Sequence, residues 1–326
     1  MKKIIALALA TAMLLGLVAC GSANDSANGS ASDDGKYTIG ICQLVQHDAL
    51  DAATQGFQDA VIEGLGKENV TFDLQNAAGD SNTCSTIANS FVSAEVDLIM
   101  ANATPALQAA QAATGDIPIL GTSVTEYGVA LGLENFNGTV GGNISGTSDL
   151  APLTEQAEML KVWFPDAKTV GLLFCSAEAN SKYQVDTIQT LLEDMGYECQ
   201  QFPFADSNDM PAVTNAACEY SDVIYVPTDN AVASGTEVID GICRPAGVPI
   251  IAGEEGICSG CGVATLSISY YDLGYETGKM AVKILKGEAD ISTLEIGFAG
   301  APTPKYNAEI CEELGLTPPE GYVAIG

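Results

Sequence analysis

The sequence has one histidine, His47, and one tryptophan, Trp163, in 326 residues. Acid–base work by a histidine needs a group that orients the ring and a reacting group within hydrogen-bond reach. No second histidine exists to supply either, no G-x-S-x-G elbow appears, and no cysteine nucleophile motif stands near His47. No dinucleotide fingerprint follows the first strand-like run. Basic residues are also scarce, 12 against 42 acidic ones, for a formal net charge of −30. Such a field repels phosphate backbones, and no basic run opposes it, so nucleic acid is excluded as a partner. Aromatics make up 6% of the chain. The ring-stacking platforms of sugar sites are therefore few, although Tyr127, Tyr183 and Tyr270 could serve.

The longest uncharged apolar run, residues 4–17, is too short to span a bilayer comfortably. It follows Lys2 and Lys3 and ends in "LVAC", which reads as an export signal over 1–19. "LVAC" resembles the lipobox of bacterial lipoproteins, and that resemblance implies a lipid on Cys20. Behind it, 20–36 ("CGSANDSANGSASDDGK") has the composition of a flexible tether, which as a random coil spans on the order of 20 Å. The expected location is the cell membrane, lipid-anchored on the extracytoplasmic face. Beyond Cys20 there are nine further cysteines, an odd number whose connectivity spacing alone does not give. "CSGC", Cys258 to Cys261, lacks the second close pair of a zinc site. It precedes "GVATLSIS", a strand-like run, where a thioredoxin motif would open a helix after a strand. Structural disulfide or buried thiols is the reading favoured over redox or metal chemistry; neither metal nor cofactor is expected.

From Tyr37 onward, short β-branched runs alternate with amphipathic stretches. "YTIGICQ", "VTFDLQN", "DLIMANA" and "IPILGTS" read as strands, with helices over 48–63, 81–94 and 105–114. This βαβ grammar predicts a parallel sheet covered on both faces. The pattern then recurs: "SNTCSTIAN" from Ser81 finds "SNDMPAVTN" from Ser207, "DLIM" finds "DVIY", and "DIPIL" finds "GVPII". A nearly constant offset of this kind marks two copies of one doubly wound unit. The predicted class is α/β, two Rossmann-like lobes facing across a cleft.

Doubly wound sheets bind ligands at the carboxyl ends of their strands. Polar residues stand there in both halves: Gln43, Gln46 and His47; Thr104; Ser123 and Thr125, with Val124 between them; Ser176, Asn180 and Ser181; Thr228 and Asp229; Glu254. Thr104, Ser181 and Asp229 could equally be helix caps. His47 is open to three readings at this point: a wall of the cleft, a helix-start residue, or a catalytic base.

"QLVQHDALDAATQGFQDA", "LQNAAGDSN", "ANATPALQAA", "NISGTSDL", "SAEANSKYQV", "IYVPTDNAVAS" and "SISYYDLGYETGKMAVKILKG" resemble, in order, the motifs of the ABC transporter substrate-binding family whose characterised members bind tryptophan, tyrosine or phenylalanine. The resemblance implies the type I periplasmic-binding fold with three crossover segments. Lobe 1 would comprise 37–146 plus 268–290, and lobe 2 147–267 plus 291–326. It implies a monomer that captures a small amino acid by hinge closure, without catalysis, and delivers it to an ABC permease in the membrane. Thr104 and Ser123 would hold the ligand carboxylate, Asp229 the ammonium, and Asn180 and Ser181 would close over it. His47 and Gln46 would line the side-chain pocket, with Tyr270 alongside. Family members often carry Glu-His-Pro where this chain has Gln46-His47-Asp48, and they rarely have so many cysteines. Two competing readings are the same fold holding a sugar, nucleoside or peptide, and a secreted thiol oxidoreductase using Cys258 and Cys261.

Overall fold

The computed structural model describes Lys36–Ile325; the expected export signal, Cys20 and the expected tether before Lys36 lie outside the described residues. The first lobe runs β1 (Tyr37–Gln43), α1 (Asp48–Leu65), β2 (Val70–Asn76), α2 (Ser81–Ser93), β3 (Leu98–Asn102), α3 (Thr104–Ala113), β4 (Ile119–Val124), α4 (Tyr127–Leu131) and β5 (Ile144–Ser148). The second runs α5 (Leu153–Trp163), β6 (Thr169–Cys175), α6 (Ala179–Asp194), β7 (Glu198–Phe204), α7 (Met210–Tyr220), β8 (Val223–Val226), α8 (Asn230–Ala233), α9 (Thr236–Ala246), β9 (Ile250–Ala252), α10 (Glu255–Cys261) and β10 (Ala264–Ser267). There follow α11 (Tyr270–Leu285), β11 (Gly297–Phe298), β12 (Thr303–Tyr306), α12 (Ala308–Glu313) and β13 (Val323–Ala324).

The two sheets have the same internal order, β2-β1-β3-β4-β5 and β7-β6-β8-β9-β10, all parallel. The sequence repeat is thus a structural duplication. Central strands covered on both faces are apolar throughout: every residue of β3, β4 and β8 is buried. The edge strands β2 and β7 alternate between exposed and covered positions, as half-solvated edges do.

The chain passes between the lobes three times, after β5, between β10 and α11, and between β11 and β12. Two boundaries differ from the sequence reading. Thr147 and Ser148 belong to β5 of the first sheet, and β11 pairs with them, Gly297 opposite Thr147. Residues 291–298 therefore lie with the first lobe, because β5 would otherwise present an unpaired edge. Only from β12, antiparallel to β10, does the chain join the second sheet.

Helix α11 returns to the first lobe and lies along α1. Leu273 and Ala281 are fully buried, and Met280 and Ile284 pack onto the cluster of Ile39, Ile41, Phe57 and Leu120. Burying a Phe57-sized side chain contributes about 2–3 kcal/mol. Trp163 is 8% exposed and meets Tyr322 edge-on at 5.3 Å. No helix among the described residues is long and apolar enough to cross a membrane.

Candidate functional site

The carboxyl ends of both sheets converge on one narrow cavity lined by residues of both lobes. From the first lobe come His47, Leu50, Ser123, Thr125 and Asp149, and from the second Asn180, Thr228, Asp229, Asn230 and Glu254. Tyr270, at the start of α11, closes one wall.

Local backbone explains the presentation. Between Gly121 and Val124 the β4–β5 register shifts, and a bulge there re-aims the chain. Ser123 adopts φ +54° and Ala103, just before α3, φ +92°. Both are left-handed non-glycine positions at strand ends facing the cleft, strain that persists only where the surroundings over-determine it.

The buried hydrogen bonds divide the cavity residues into two sets. One is committed to the protein. The Asp229 carboxylate accepts from the N–H groups of Cys175 at 2.7 Å and Val232 at 2.9 Å, capping α8. Glu254 caps α10 by accepting from Gly256 and Ile257. Asn230 is held from behind the lining by Glu178, which accepts from its backbone and side-chain amides and from the N–H of Ala231. The other set has polar atoms without a hydrogen bond of normal geometry: Ser123 Oγ, Asp149 Oδ1, Asn180 Oδ1 and Thr228 Oγ1. All four residues line the cavity. Leaving such groups unmatched costs about 1–3 kcal/mol each, so their concentration at one place calls for a reason. Asp149 is 3% exposed; its second oxygen accepts from the Tyr270 hydroxyl at 2.9 Å.

His47 spans the cleft: its Nε2 lies 3.2 Å from Asn230 Oδ1 across the two lobes. Burial pushes the ring below its usual range, against the opposing pull of Asn230, Asp51 and Asp48. A neutral imidazole donating to an amide oxygen joins two lobes; it has no carboxylate partner oriented for base catalysis.

Burial, reinforced by Asp229, raises Glu178 to about 7, and burial raises Glu254 to about 7. For an acid whose folded value lies above its unfolded one, the folded state binds the extra proton; stability is present at low pH and is lost as pH rises through about 4.5 to 7. The melting midpoint is therefore expected to rise as pH is lowered from roughly 8 to roughly 5.5. Glu178→Gln should flatten that slope; a midpoint that falls over this interval contradicts the assignment.

Several residues singled out in the sequence lie away from the cavity. Gln43 is tied to Thr54 and Asp51 beneath it. Val124 belongs to the first-lobe core, and Ser176 is exposed with its hydroxyl on the carbonyl of Phe204. Gln46 is exposed at the rim, where it helps to line a separate groove with Thr236 and Ser259. Thr104 is buried at the start of α3, outside the cavity lining, and Ser181 is buried behind Asn180 against Asp229. Asp229 lines the cavity, but its oxygens already serve backbone donors, so it is poorly placed for an ammonium. Asp149 was the omission: it follows β5, beside the lobe boundary expected at 146/147, and its role becomes visible only through Tyr270, 121 positions away.

Cys258 and Cys261 also depart from expectation, since the motif lies inside α10, directly after β9. Both are buried in the second-lobe core, and burial raises both thiols, which keeps them protonated and unreactive.

Residues 38–324 match the family described as ABC transporter substrate binding protein. The tyrosine-binding protein of Clostridioides difficile is 37% identical over 297 residues, covering 88% of this chain and 85% of its own. An ABC domain from Streptococcus pneumonia, solved in complex with L-Trp, superposes with TM-score 0.84 at 32% identity, over 89% of this chain and all of its own (100%). The ligand-free, open structure of a substrate-binding protein with adhesive properties from Clostridium difficile gives 0.68 at 38% identity, over 89% and 99%. The nearer sequence thus fits less well when its lobes are open, in keeping with the shut cleft seen here. The fold is that of type I periplasmic binding proteins, and the chain belongs to the ABC transporter substrate-binding protein family.

Proposed function

We propose that this protein captures one aromatic amino acid by closing its two lobes around it, and delivers it to a membrane permease for import. The carrying observation is the set of four unmatched polar atoms. Asp149 Oδ1 and Asn180 Oδ1 are acceptors suited to an ammonium, while the hydroxyls of Ser123 and Thr228 can donate to a carboxylate. They come from both lobes, Ser123 and Asp149 on one side and Asn180 and Thr228 on the other. A zwitterion that satisfies all four touches both lobes only when they are shut, and that differential contact supplies the drive for closure.

Leu50, Ala49, Ala233 and His47 line the remainder, an apolar wall with a polar end suited to a ring. The narrow space between the shut lobes leaves no room for an oligopeptide or oligosaccharide. The tyrosine-binding and L-Trp-bound relatives support the aromatic class. The lipobox resemblance of "LVAC" supports anchoring through Cys20 on the extracytoplasmic face, from which a substrate-binding protein serves an importer; a monomer is sufficient for that role.

A thermal-shift panel tests the ligand class. An aromatic amino acid at about 100 times its Kd should stabilise by about 2.7 kcal/mol. Sugars and nucleosides should leave the midpoint unmoved; a shift with a sugar or nucleoside and none with amino acids overturns the proposal. Wild-type affinity after removal of the His47 side chain would remove that residue from the closure.

A further inference from the structure

Nine cysteines lie among the described residues, and ligand capture uses none of them. Two pairs approach one another. Cys42 on β1 and Cys84 on α2 are neighbours, each with no exposed surface. Cys218 on α7 and Cys243 on α9 stand with their Sγ atoms 3.3 Å apart. Cys218 is half-buried and Cys243 is 2% exposed, so one sulfur of this pair meets solvent and the other stands behind it.

We propose that Cys218 and Cys243 form a redox modification site of the second lobe, closing to a disulfide by exchange with a low-molecular-weight disulfide, while Cys42 and Cys84 remain two thiols. A disulfide needs its sulfurs about 2.05 Å apart, so closure asks for roughly 1 Å of approach between two helices already packed together. The accessible thiol is also the better nucleophile. The hydrogen bond from Cys243 holds Cys218 below its ordinary range, and the same bond together with burial raises Cys243.

The exchange balances in two steps. Cys218 thiolate attacks one sulfur of the small disulfide, forming a mixed disulfide and releasing a thiolate. Cys243, giving its proton to that released thiolate, then attacks Cys218 Sγ and expels the second thiolate, which takes up the Cys218 proton from water. Two electrons pass from the protein to the small disulfide, which leaves as two thiols. No such route opens for Cys42 and Cys84, because a small disulfide cannot reach either sulfur without unfolding the first lobe. The site acts away from the cleft and stands or falls independently of the ligand.

The test incubates the full chain with glutathione disulfide, unfolds it, blocks remaining thiols with iodoacetamide, and digests with a glutamyl endopeptidase. Cleavage after Glu219 and Glu237 separates the two cysteines. The expected product is a linked peptide pair whose fragments join Cys218 to Cys243, with Cys42 and Cys84 both alkylated. Alkylation of both Cys218 and Cys243, glutathione left on Cys218 without a link, or a Cys42–Cys84 link overturns the proposal. The bond closes a span of 25 positions. The oxidised protein should therefore melt on the order of 5 °C above the reduced one. Cys218→Ser and Cys243→Ser should each abolish that difference, and Cys199→Ser should retain it. Should a serine variant fail to fold, the wild-type peptide map decides alone.

Discussion

Replacing Asp149 with asparagine is expected to weaken binding of the amino-acid ligand by at least about 30-fold, with little change in the unliganded melting midpoint. Truncating one partner of a desolvated, hydrogen-bonded charge pair costs about 2–5 kcal/mol, and each 1.4 kcal/mol is tenfold in Kd. The ammonium would lose the carboxylate oxygen that has no protein hydrogen bond of normal geometry, while the Tyr270 hydroxyl could still donate to the asparagine carbonyl. Burial raises the Asp149 carboxyl, opposed by Tyr270 and Thr125. An approaching cation needs the ionised form, so below that raised value binding has to expel a proton. Wild-type affinity should accordingly fall as pH is lowered, and the asparagine variant should lose this part of the dependence. Titration calorimetry at several pH values reads both; an unchanged Kd in Asp149→Asn would remove the residue from the ligand.

Gly274→Val is expected to unfold or severely loosen the first lobe. Helices α1 and α11 pack backbone to backbone: a Cβ at Gly274 would stand 1.9 Å from the carbonyl oxygen of Ala53, and one at Gly56 2.0 Å from that of Tyr271. Backbone cannot yield as a flexible side chain can. Overpacking commonly costs about 1–3 kcal/mol, and here about 3 kcal/mol is a lower bound because the colliding atoms are main chain. For a chain of this size that lowers the melting midpoint by at least roughly 6 °C. Gly241→Ala is the control: its Cβ meets nothing within 4 Å on the exposed side of α9, and a neutral or slightly stabilising effect is expected. A Gly274 variant that melts like wild type would contradict this packing.

The duplicated βαβ pattern made the fold legible, because strands buried on both faces must be apolar and helices between them must be amphipathic. "DLIM" and "DVIY" became β3 and β8, equivalent central strands of the two sheets. The boundaries near β5 and β11 were less legible. β5 reads "ISGTS", with Gly146 at φ +147° pressed against Gly121, and β11 is two residues long, so neither carries a strand's composition. That Trp163 is covered is not legible locally either, because Tyr322, which meets it edge-on, lies far along the chain.

At the cleft, position was legible and role was not. Strand ends could be located, and His47, Ser123, Thr125, Asn180, Thr228, Asp229, Glu254 and Tyr270 all line the cavity. Whether a carboxylate is free or already capping a helix depends on backbone N–H groups that sequence does not position. Asp229 and Glu254 both cap, and Asp149 keeps one oxygen unmatched. Asn230 directly follows the strand-end pair Thr228 and Asp229, but its bond to His47 joins positions 183 apart, beyond the reach of local pattern.

The most direct test of the account is calorimetric titration of protein stripped of ligand by unfolding and refolding, against tyrosine, tryptophan and phenylalanine alongside the other proteinogenic amino acids. The account predicts tight one-to-one binding of an aromatic amino acid, weakened at least about 30-fold in Asp149→Asn. Absence of heat across the whole panel, from protein shown to be refolded, would contradict it and assign the cleft to another class of ligand.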